Sequence, residues 1–157
     1  MSIEEKRQRI TKLAREYSEQ VGLGTIYNKN EINKYLNLSI EEKRKLTAEE
    51  CGEAAITLSQ GAIYIQKEVN ILQTDLNWCE KYIDFTIANE VLNLSTQYIP
   101  YENKKTVAIK NNDVAMQLQK IINDINARIT SVQYIPKQLH ELARAYSELQ
   151  QTKRFLK

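Results

Sequence analysis

The fold is decided by residues 48–92, which read AEECGEAAITLSQGAIYIQKEVNILQTDLNWCEKYIDFTIANEVL. Apolar residues recur in this stretch at alternating steps of three and four, the spacing of an a/d heptad seam along one helix. The seam consists of Ala55, Leu58, Ala62, Ile65, Val69, Leu72, Leu76, Cys79 and Ile83. The pattern therefore predicts one long helix, on the order of 65 Å in length at 1.5 Å per residue.

A second seam follows a connection that we place at residues 93–106. Its members are Val114, Leu118, Ile121, Ile125, Arg128, Val132, Ile135, Leu139, Leu142, Tyr146, Leu149, Lys153 and Leu156. The alternation keeps its phase across Pro136, which predicts that a helix over 107–157 continues there with a kink. Two seams joined by a short connection predict an all-α fold: a long antiparallel helical hairpin (coiled coil) within residues 47–157.

The fold-back in the connection would bring together residues whose numbers sum to roughly 200, such as Leu58 and Leu142. In this register Arg128 lies inside the seam, within reach of Asp75 or Glu68. A polar residue at such a position typically sets the register of the two helices, and we interpret Arg128 in this way.

Short helices are predicted before the hairpin, in residues 1–46. Three capping boxes, each a Ser or Thr followed three residues later by Glu, mark helix starts. They are Ser2 with Glu5, Ser39 with Glu42, and Thr47 with Glu50. They predict a first helix that ends near Gln20, a short helix at about 40–46 and the long helix from Ala48.

Composition supports a helical protein with a basic second half. The chain of 157 residues has only 4 Gly and 2 Pro, too few for a turn-rich β architecture. The formal net charge of +2 is uneven: residues 101–157 carry 10 Lys/Arg against 5 Asp/Glu, and residues 1–100 carry 12 against 15. A basic half of this kind indicates a polyanionic partner.

No pattern of catalytic or metal-binding chemistry occurs in the sequence. There is one histidine, His140, and Cys51 and Cys79 have no CxxC spacing. Gly-rich phosphate loops, nucleophile elbows and metal-spaced Cys/His sets are absent. We therefore expect a non-enzyme without cofactor or metal. No apolar run is long enough for a membrane span, and reduced cysteines favour the cytoplasm, that of the host cell if the protein is viral.

Aromatic and basic residues concentrate in the connection and just after it. Rings beside ammonium groups can stack on bases while the charges neutralise phosphates. The candidate single-stranded-DNA-binding residues are Tyr98, Tyr101, Lys104, Lys105, Lys110, Lys120 and Lys81. Replacing Lys104 and Lys105 by Glu is expected to remove most of the binding and to leave the fold intact, because neither lysine lies on a seam. In the alternative interpretation, the rings close the end of the hairpin as a small core.

Two further surfaces have alternative interpretations. The first helix carries Lys6, Arg7, Arg9, Lys12 and Arg15, which form either a second phosphate-binding face or an ordinary solvated surface. Trp78 flanks the first seam, where it needs cover from a third element or from another subunit. Because two helices leave their outer flanks bare, we expect a homo-oligomer.

The order of elements resembles the UvsY-like family of phage recombination mediators over roughly residues 54–157. The resemblance rests on Ala54-Ala55, on Lys105-Thr106-Val107 and on Asp113-Val114. It implies a small helical protein that binds single-stranded DNA, forms rings of identical subunits and helps to load a RecA-type recombinase.

The sequence departs from the family where the family has a basic cluster in the second half of its long first helix. The matching stretch, 78–84, offers only Lys81 and adds Glu80 and Asp84. Lysines after the connection would then supply most of the DNA contacts. The alternative function is a structural or adaptor coiled coil that binds only proteins, such as a virion component or an inhibitor of a host system.

Overall fold

The computed structural model describes residues 1–21, 27–94 and 98–156. Within these ranges the chain is helical and contains no strand, so the prediction of an all-α fold is confirmed. The helices are α1 (Ile3–Gln20), α2 (Lys29–Leu36), α3 (Ile40–Lys45), α4 (Ala48–Asn93), α5 (Tyr101–Lys110), α6 (Asp113–Val132) and α7 (Ile135–Phe155).

All three predicted capping boxes are formed, and they explain where α1, α3 and α4 begin. The backbone N–H of Ser39 donates to Glu42 Oε2 at 2.7 Å, and the N–H of Glu42 donates to Ser39 Oγ at 3.1 Å. The same reciprocal bonds join Ser2 with Glu5 and Thr47 with Glu50. Each box satisfies two N–H groups that the first turn of a helix leaves without a partner.

The chain forms two compact units, and each takes one half of α4. Unit 1 contains residues 1–17 and 70–131, and unit 2 contains residues 18–69 and 132–157. Both units therefore combine an N-terminal segment with a later one, whereas the division expected from the sequence separated residues 1–46 from the rest.

The core of unit 1 lies between the second half of α4, α5 and α6. Its fully buried members include Cys79, Leu118 and Ile125. The whole buried set is Leu76, Cys79, Ile83, Ile87, Ala108, Ala115, Leu118, Ile122, Ile125 and Ile129. Ile3 of α1 packs against this core from outside.

The core of unit 2 lies between α2, the first half of α4 and α7. It consists of Ile32, Tyr35, Cys51, Ala54, Ala55, Leu58, Ala62, Leu139, Ala143 and Tyr146. The buried hydroxyl of Tyr146 donates to the carbonyl oxygen of Tyr35 at 2.9 Å, which satisfies a polar group that burial would otherwise leave without a partner.

Two close approaches show that α4 and α7 run antiparallel inside unit 2. A Cβ at Gly52 would lie 2.5 Å from Gln150 Nε2, and a Cβ at Gly61 would lie 3.7 Å from Leu139 Cδ1. In both pairs the residue numbers sum to about 200, the value expected from the sequence. A coiled coil along the whole of 47–157 stays a prediction.

The buried face of α6 corrects the second seam. Arg128 is exposed and pairs with Asp124 on its own helix at 3.0 Å, and Val114 is exposed as well. Ile122 and Ile129 are buried instead. The stripe Ala115, Leu118, Ile122, Ile125, Ile129 also alternates steps of three and four, and it contains no charge. A core prefers the stripe that avoids burying an ion.

The prediction of one kinked helix over 107–157 is also wrong, because three helices occupy this range. Gln133 and Tyr134 form a turn, and α7 begins afresh at Ile135 with Pro136 in its first turn. A proline there loses no hydrogen bond, since the first N–H groups of a helix have no partner in the helix. A second break, at Asn111 and Asn112, separates α5 from α6.

The predicted connection 93–106 is partly helical. Its residues 95–97 lie outside the described residues, and α5 begins at Tyr101, directly after Pro100. Pro100 has the extended conformation that precedes a helix, with φ −54° and ψ 145°. The lysines that the sequence assigned to the end of the connection therefore lie on a helix.

Candidate nucleic-acid interface

All seven candidate DNA-binding residues belong to unit 1. Tyr101, Lys104, Lys105 and Lys110 lie on α5, and Tyr98 precedes this helix. Lys120 lies on α6 and Lys81 on α4. The candidates on helices are thus distributed over three helices of one unit.

The rings of Tyr98 and Tyr101 are open to solvent. Tyr98 is fully exposed and Tyr101 is 60% exposed. The interpretation of these rings as a small core at the end of the hairpin is therefore wrong for both. An exposed ring has a free face, which is the requirement for stacking on an unpaired base.

The sequence reasoning missed a third exposed ring, Phe85 of α4, which is 79% exposed. It lies one helical turn after Lys81, so the two side chains are neighbours on one helix face. The available signal was its position two residues after the seam residue Ile83, because a large apolar ring off the seam faces away from the core.

Lys105 differs from the other candidate lysines because it holds α5 to α4. Its Nζ lies 2.7 Å from Asp84 Oδ1, and this hydrogen bond raises the pKa of Lys105. The ion pair neutralises Asp84, one of the two acidic residues that set this sequence apart from the UvsY-like pattern. A Lys105→Glu substitution would place two carboxylates together, so it does not test DNA binding alone.

The remaining four lysines have no carboxylate oxygen within 4.0 Å in the part of the chain that the structure describes. They are Lys81, Lys104, Lys110 and Lys120. Glu102 is the single acidic residue of α5, against three lysines on the same helix. The surface charge of α5 is therefore positive and available to a polyanion.

Lys110 and Lys120 line one hollow of about 380 Å³ between α5 and α6. Its other lining residues are Thr106, Ile109, Met116 and Gln119. Asn112 shapes the turn between the two helices: its Oδ1 accepts from the N–H of Ala115 at 3.0 Å, and its Nδ2 donates to Glu90 at 3.1 Å. Two lysines ten positions apart are thereby brought to the same cavity.

Two of the five cations on the basic face of α1, Lys6 and Arg7, are engaged inside unit 1. Arg7 donates two hydrogen bonds to the buried carboxylate of Asp75, from Nε at 3.1 Å and from Nη2 at 2.9 Å. Lys6 donates to the hydroxyl of Tyr82 at 3.1 Å and lies 4.8 Å from the centre of that ring. These two cations hold α1 to α4, so they form a structural contact, whereas Arg9, Lys12 and Arg15 of the same face are exposed.

Asp75 therefore has the buried polar role that the sequence suggested, but with a different partner. It is 4% exposed and pairs with Arg7, where Arg128 was expected.

Trp78 stacks on Tyr82 within the same unit, with ring centres 5.0 Å apart. Cys79, fully buried, donates its thiol to Asp75 Oδ1 at 3.6 Å, and burial together with the Asp75 charge raises the pKa of Cys79 to about 11.

Among residues 1–21, 27–94 and 98–156, no group of three or more His, Cys, Asp and Glu is placed to hold a metal ion. No helix of the same residues has the length and apolarity that crossing a membrane requires. The expectation of a non-enzyme stays a prediction.

Comparison with protein-family models, with curated proteins and with solved structures yields no match to this chain.

Proposed function

We propose that this chain is a non-catalytic accessory protein that binds single-stranded DNA through unit 1 and assists a RecA-type recombinase. The observation that supports DNA binding is the combination of three exposed rings with lysines that have no carboxylate partner among the residues that the structure describes. The rings are Phe85, Tyr98 and Tyr101. The recombinase, and the phage setting that goes with it, rest on the resemblance to the UvsY-like family alone.

The surface favours a single strand over a duplex. Unpaired bases offer their faces to exposed rings, and each base that stacks contributes about 1–3 kcal/mol. Bases in a duplex are stacked on one another and are not accessible to such rings. Lysines beside the rings neutralise phosphates whatever the sequence, so the expected binding is sequence-independent and falls with salt.

The test is fluorescence anisotropy with a labelled oligo(dT) of about 30 nucleotides at several salt concentrations. Lys104→Glu/Lys110→Glu should weaken binding strongly and should reduce the salt slope by about 1.4, since each lost contact with a single strand removes about 0.7. The control is Lys29→Glu/Lys137→Glu, which makes the same charge change on exposed residues of unit 2. Equal binding by the two double variants would contradict the site, and no binding by wild type at low salt would contradict the function.

Self-association is part of the proposal. Large apolar side chains are exposed on α1 of unit 1, where Leu13 and Tyr17 lie one helical turn apart. Apolar surface of this kind favours contact with another protein surface. Sedimentation at micromolar concentration should show a species larger than the monomer, and a monomer at that concentration would contradict this part.

The alternative, an adaptor that binds only proteins, is favoured by a specific feature of unit 2. An apolar hollow lies there between α3 and α7, with cations at its edge. Protein binding at this hollow and DNA binding at unit 1 are independent properties, and the DNA titration above distinguishes the two functions.

A further inference from the structure

A hollow of about 330 Å³ opens between α3 and α7 in unit 2. It is lined by Ile40, Lys43, Arg44, Leu142, Ala145, Tyr146 and Leu149. Five of these seven residues are apolar or aromatic, and the two others are cations. The volume lies at the small end of the range in which proteins bind ligands or anchor side chains, about 300–1,000 Å³.

The walls of the hollow are held by contacts on both sides. Lys153 of α7 donates its ammonium to the carbonyl oxygen of Arg44 at 2.8 Å and also to that of Leu46. These bonds satisfy the carbonyl groups at the end of α3, and they tie this short helix to α7. On the floor, Tyr146 is anchored by its hydrogen bond to Tyr35. The hollow is therefore formed before any partner arrives.

The edge of the hollow carries positive charge that no described carboxylate pairs with. Arg44 and Lys43 have no carboxylate oxygen within 4.0 Å among the residues that the structure describes, and Lys43 Nζ lies 5.9 Å from the centre of the Tyr146 ring. The nearby carboxylates are engaged elsewhere: Glu42 in its capping box and Glu148 with Arg144 at 3.1 Å. Glu41 is exposed on α3 and is not a lining residue.

A large apolar side chain already lies open at the entrance. Ile40, the first residue of α3, is 70% exposed. Together with Leu142 and Leu149, Ile40 extends the apolar surface of the hollow to its solvent-exposed edge. Apolar surface bordered by charge is the pattern of a protein-binding groove, whereas a phosphate site needs many hydrogen-bond donors.

We infer that this hollow is the docking site for an amphipathic helix of a partner protein, one whose apolar stripe is bordered by Asp and Glu. Leucine-like side chains of that helix enter the hollow between Ile40 and Leu149, and its carboxylates lie against Lys43 and Arg44. The charges speed encounter and select against basic partners, while the apolar contact supplies most of the affinity. The inference does not depend on DNA binding, because all lining residues belong to unit 2.

The first experiment uses two synthetic helices of about 18 residues with the same leucine spacing. One carries Glu at every polar position and the other carries Lys. Titration by fluorescence anisotropy should show that the Glu peptide binds wild-type protein, and that the Lys peptide binds at least about tenfold more weakly. Equal affinity for the two peptides, or no affinity for either, overturns the inference.

The second experiment locates the site with variants that keep the fold. Ala145→Trp fills the hollow from an exposed helix position and should abolish peptide binding. Arg44→Glu should weaken binding, whereas Lys45→Glu should not, although both remove a cation from the last turn of α3. Circular dichroism checks that all three variants stay folded. Peptide binding that survives Ala145→Trp, or that is lost equally in Arg44→Glu and Lys45→Glu, contradicts the inference.

Two other occupants are distinguished by the same variants. If Ala145→Trp dissociates a wild-type oligomer into monomers, a second copy of the chain fills the hollow and the inference fails. If oligo(dT) displaces the Glu peptide, the hollow belongs to a nucleic-acid surface and the inference fails as well. We expect neither result, and we expect Ala145→Trp to bind oligo(dT) as wild type does.

Discussion

Two short helices cover α4 by different means, α1 in unit 1 and α2 in unit 2. No residue of α1 is buried; Ile3 packs on the core from outside, and the polar contacts that hold this helix are the ion pair of Arg7 with Asp75 and Lys6 on Tyr82. In contrast, α2 buries Ile32 and Tyr35 in the core of its unit. An ionic contact fails when one of its charges is lost, whereas an apolar contact loses stability in proportion to the area removed.

The difference lies in the residue that α4 itself presents to each of the two helices, Asp75 to α1 and Gly61 to α2. Asp75 puts a carboxylate into the core of unit 1, and a buried charge requires a partner of opposite sign. Gly61 instead leaves room in unit 2: a Cβ there would lie 2.6 Å from Ile32 Cδ1. Each half of α4 thus selects the helix that covers it, one by charge and the other by shape.

The largest expected effect comes from breaking the ionic cover. Arg7→Ala leaves Asp75 without its partner and should lower the free energy of unfolding by about 2–3 kcal/mol, less than for a fully enclosed pair because the Arg7 side chain is 18% exposed. Urea denaturation measures the change. Arg9→Ala is the control, since Arg9 is an exposed cation of the same helix. Equal losses for the two variants would mean that the ion pair does not hold α1.

The two cysteines report on the two units separately, because each unit contains one and both are fully buried. Burial raises the pKa of both thiols, that of Cys79 to about 11, so native labelling at pH 8 requires local opening. Arg7→Ala should raise the labelling rate of Cys79 by about tenfold or more and should leave that of Cys51 unchanged. Mass spectrometry identifies the labelled thiol. A parallel rise at Cys51 would contradict separate opening of the units.

The raised pKa of Cys79 makes the stability of the fold depend on pH in the alkaline range. The pKa of the Cys79 thiol is higher in the folded state than in the unfolded state, where the thiol is exposed. The contribution of the buried neutral thiol to the free energy of unfolding is therefore complete below the unfolded-state pKa, and it is lost as the pH rises through about 11. Cys79→Ser should remove this loss from the alkaline side of the stability curve.

The tyrosines of the two units are expected to differ in their effect on stability. Tyr146→Phe removes a buried hydroxyl and leaves the carbonyl of Tyr35 without its donor, which should cost about 1–2 kcal/mol. Tyr101→Phe changes an exposed ring and should leave stability unchanged. Thermal denaturation compares the two variants, and a similar melting temperature for both would argue against the hydrogen bond to Tyr35.

The smallest effects on stability are expected from replacing the two glycines of α4, Gly52 and Gly61, by Ala. A Cβ at Gly52 meets the end of the flexible Gln150 side chain, so Gly52→Ala should stabilise the helix by about 0.5–1 kcal/mol through propensity. Gly61→Ala meets Ile32, which is buried and cannot move freely, so the gain should be cancelled or reversed. If Gly61→Ala stabilises as much as Gly52→Ala, α2 does not depend on the space at Gly61.

Much of the fold could be predicted because the start of a helix depends on residues that are close together in the sequence. The capping boxes at Ser2, Ser39 and Thr47 join atoms only three residues apart, and the α4 seam repeats over many turns. The face of α6 could not be predicted from spacing alone, since the stripes through Arg128 and through Ile129 have the same spacing and differ only in the charge of Arg128. The exposure of Phe85, Tyr98 and Tyr101 depends on which surfaces the other helices leave uncovered.

The sequence by itself determined the all-α class, the starts of the helices that open with a capping box, and every residue of the proposed DNA-binding surface except Phe85. Only the tertiary structure decided that Arg7 pairs with Asp75, 68 residues away, that Lys105 is held by Asp84, and that Arg128 stays outside the core. Capping and periodicity act within one helix, so they can be read from local sequence. A buried charge can be paired by any cation that folding brings near it, and only the packed chain shows which one.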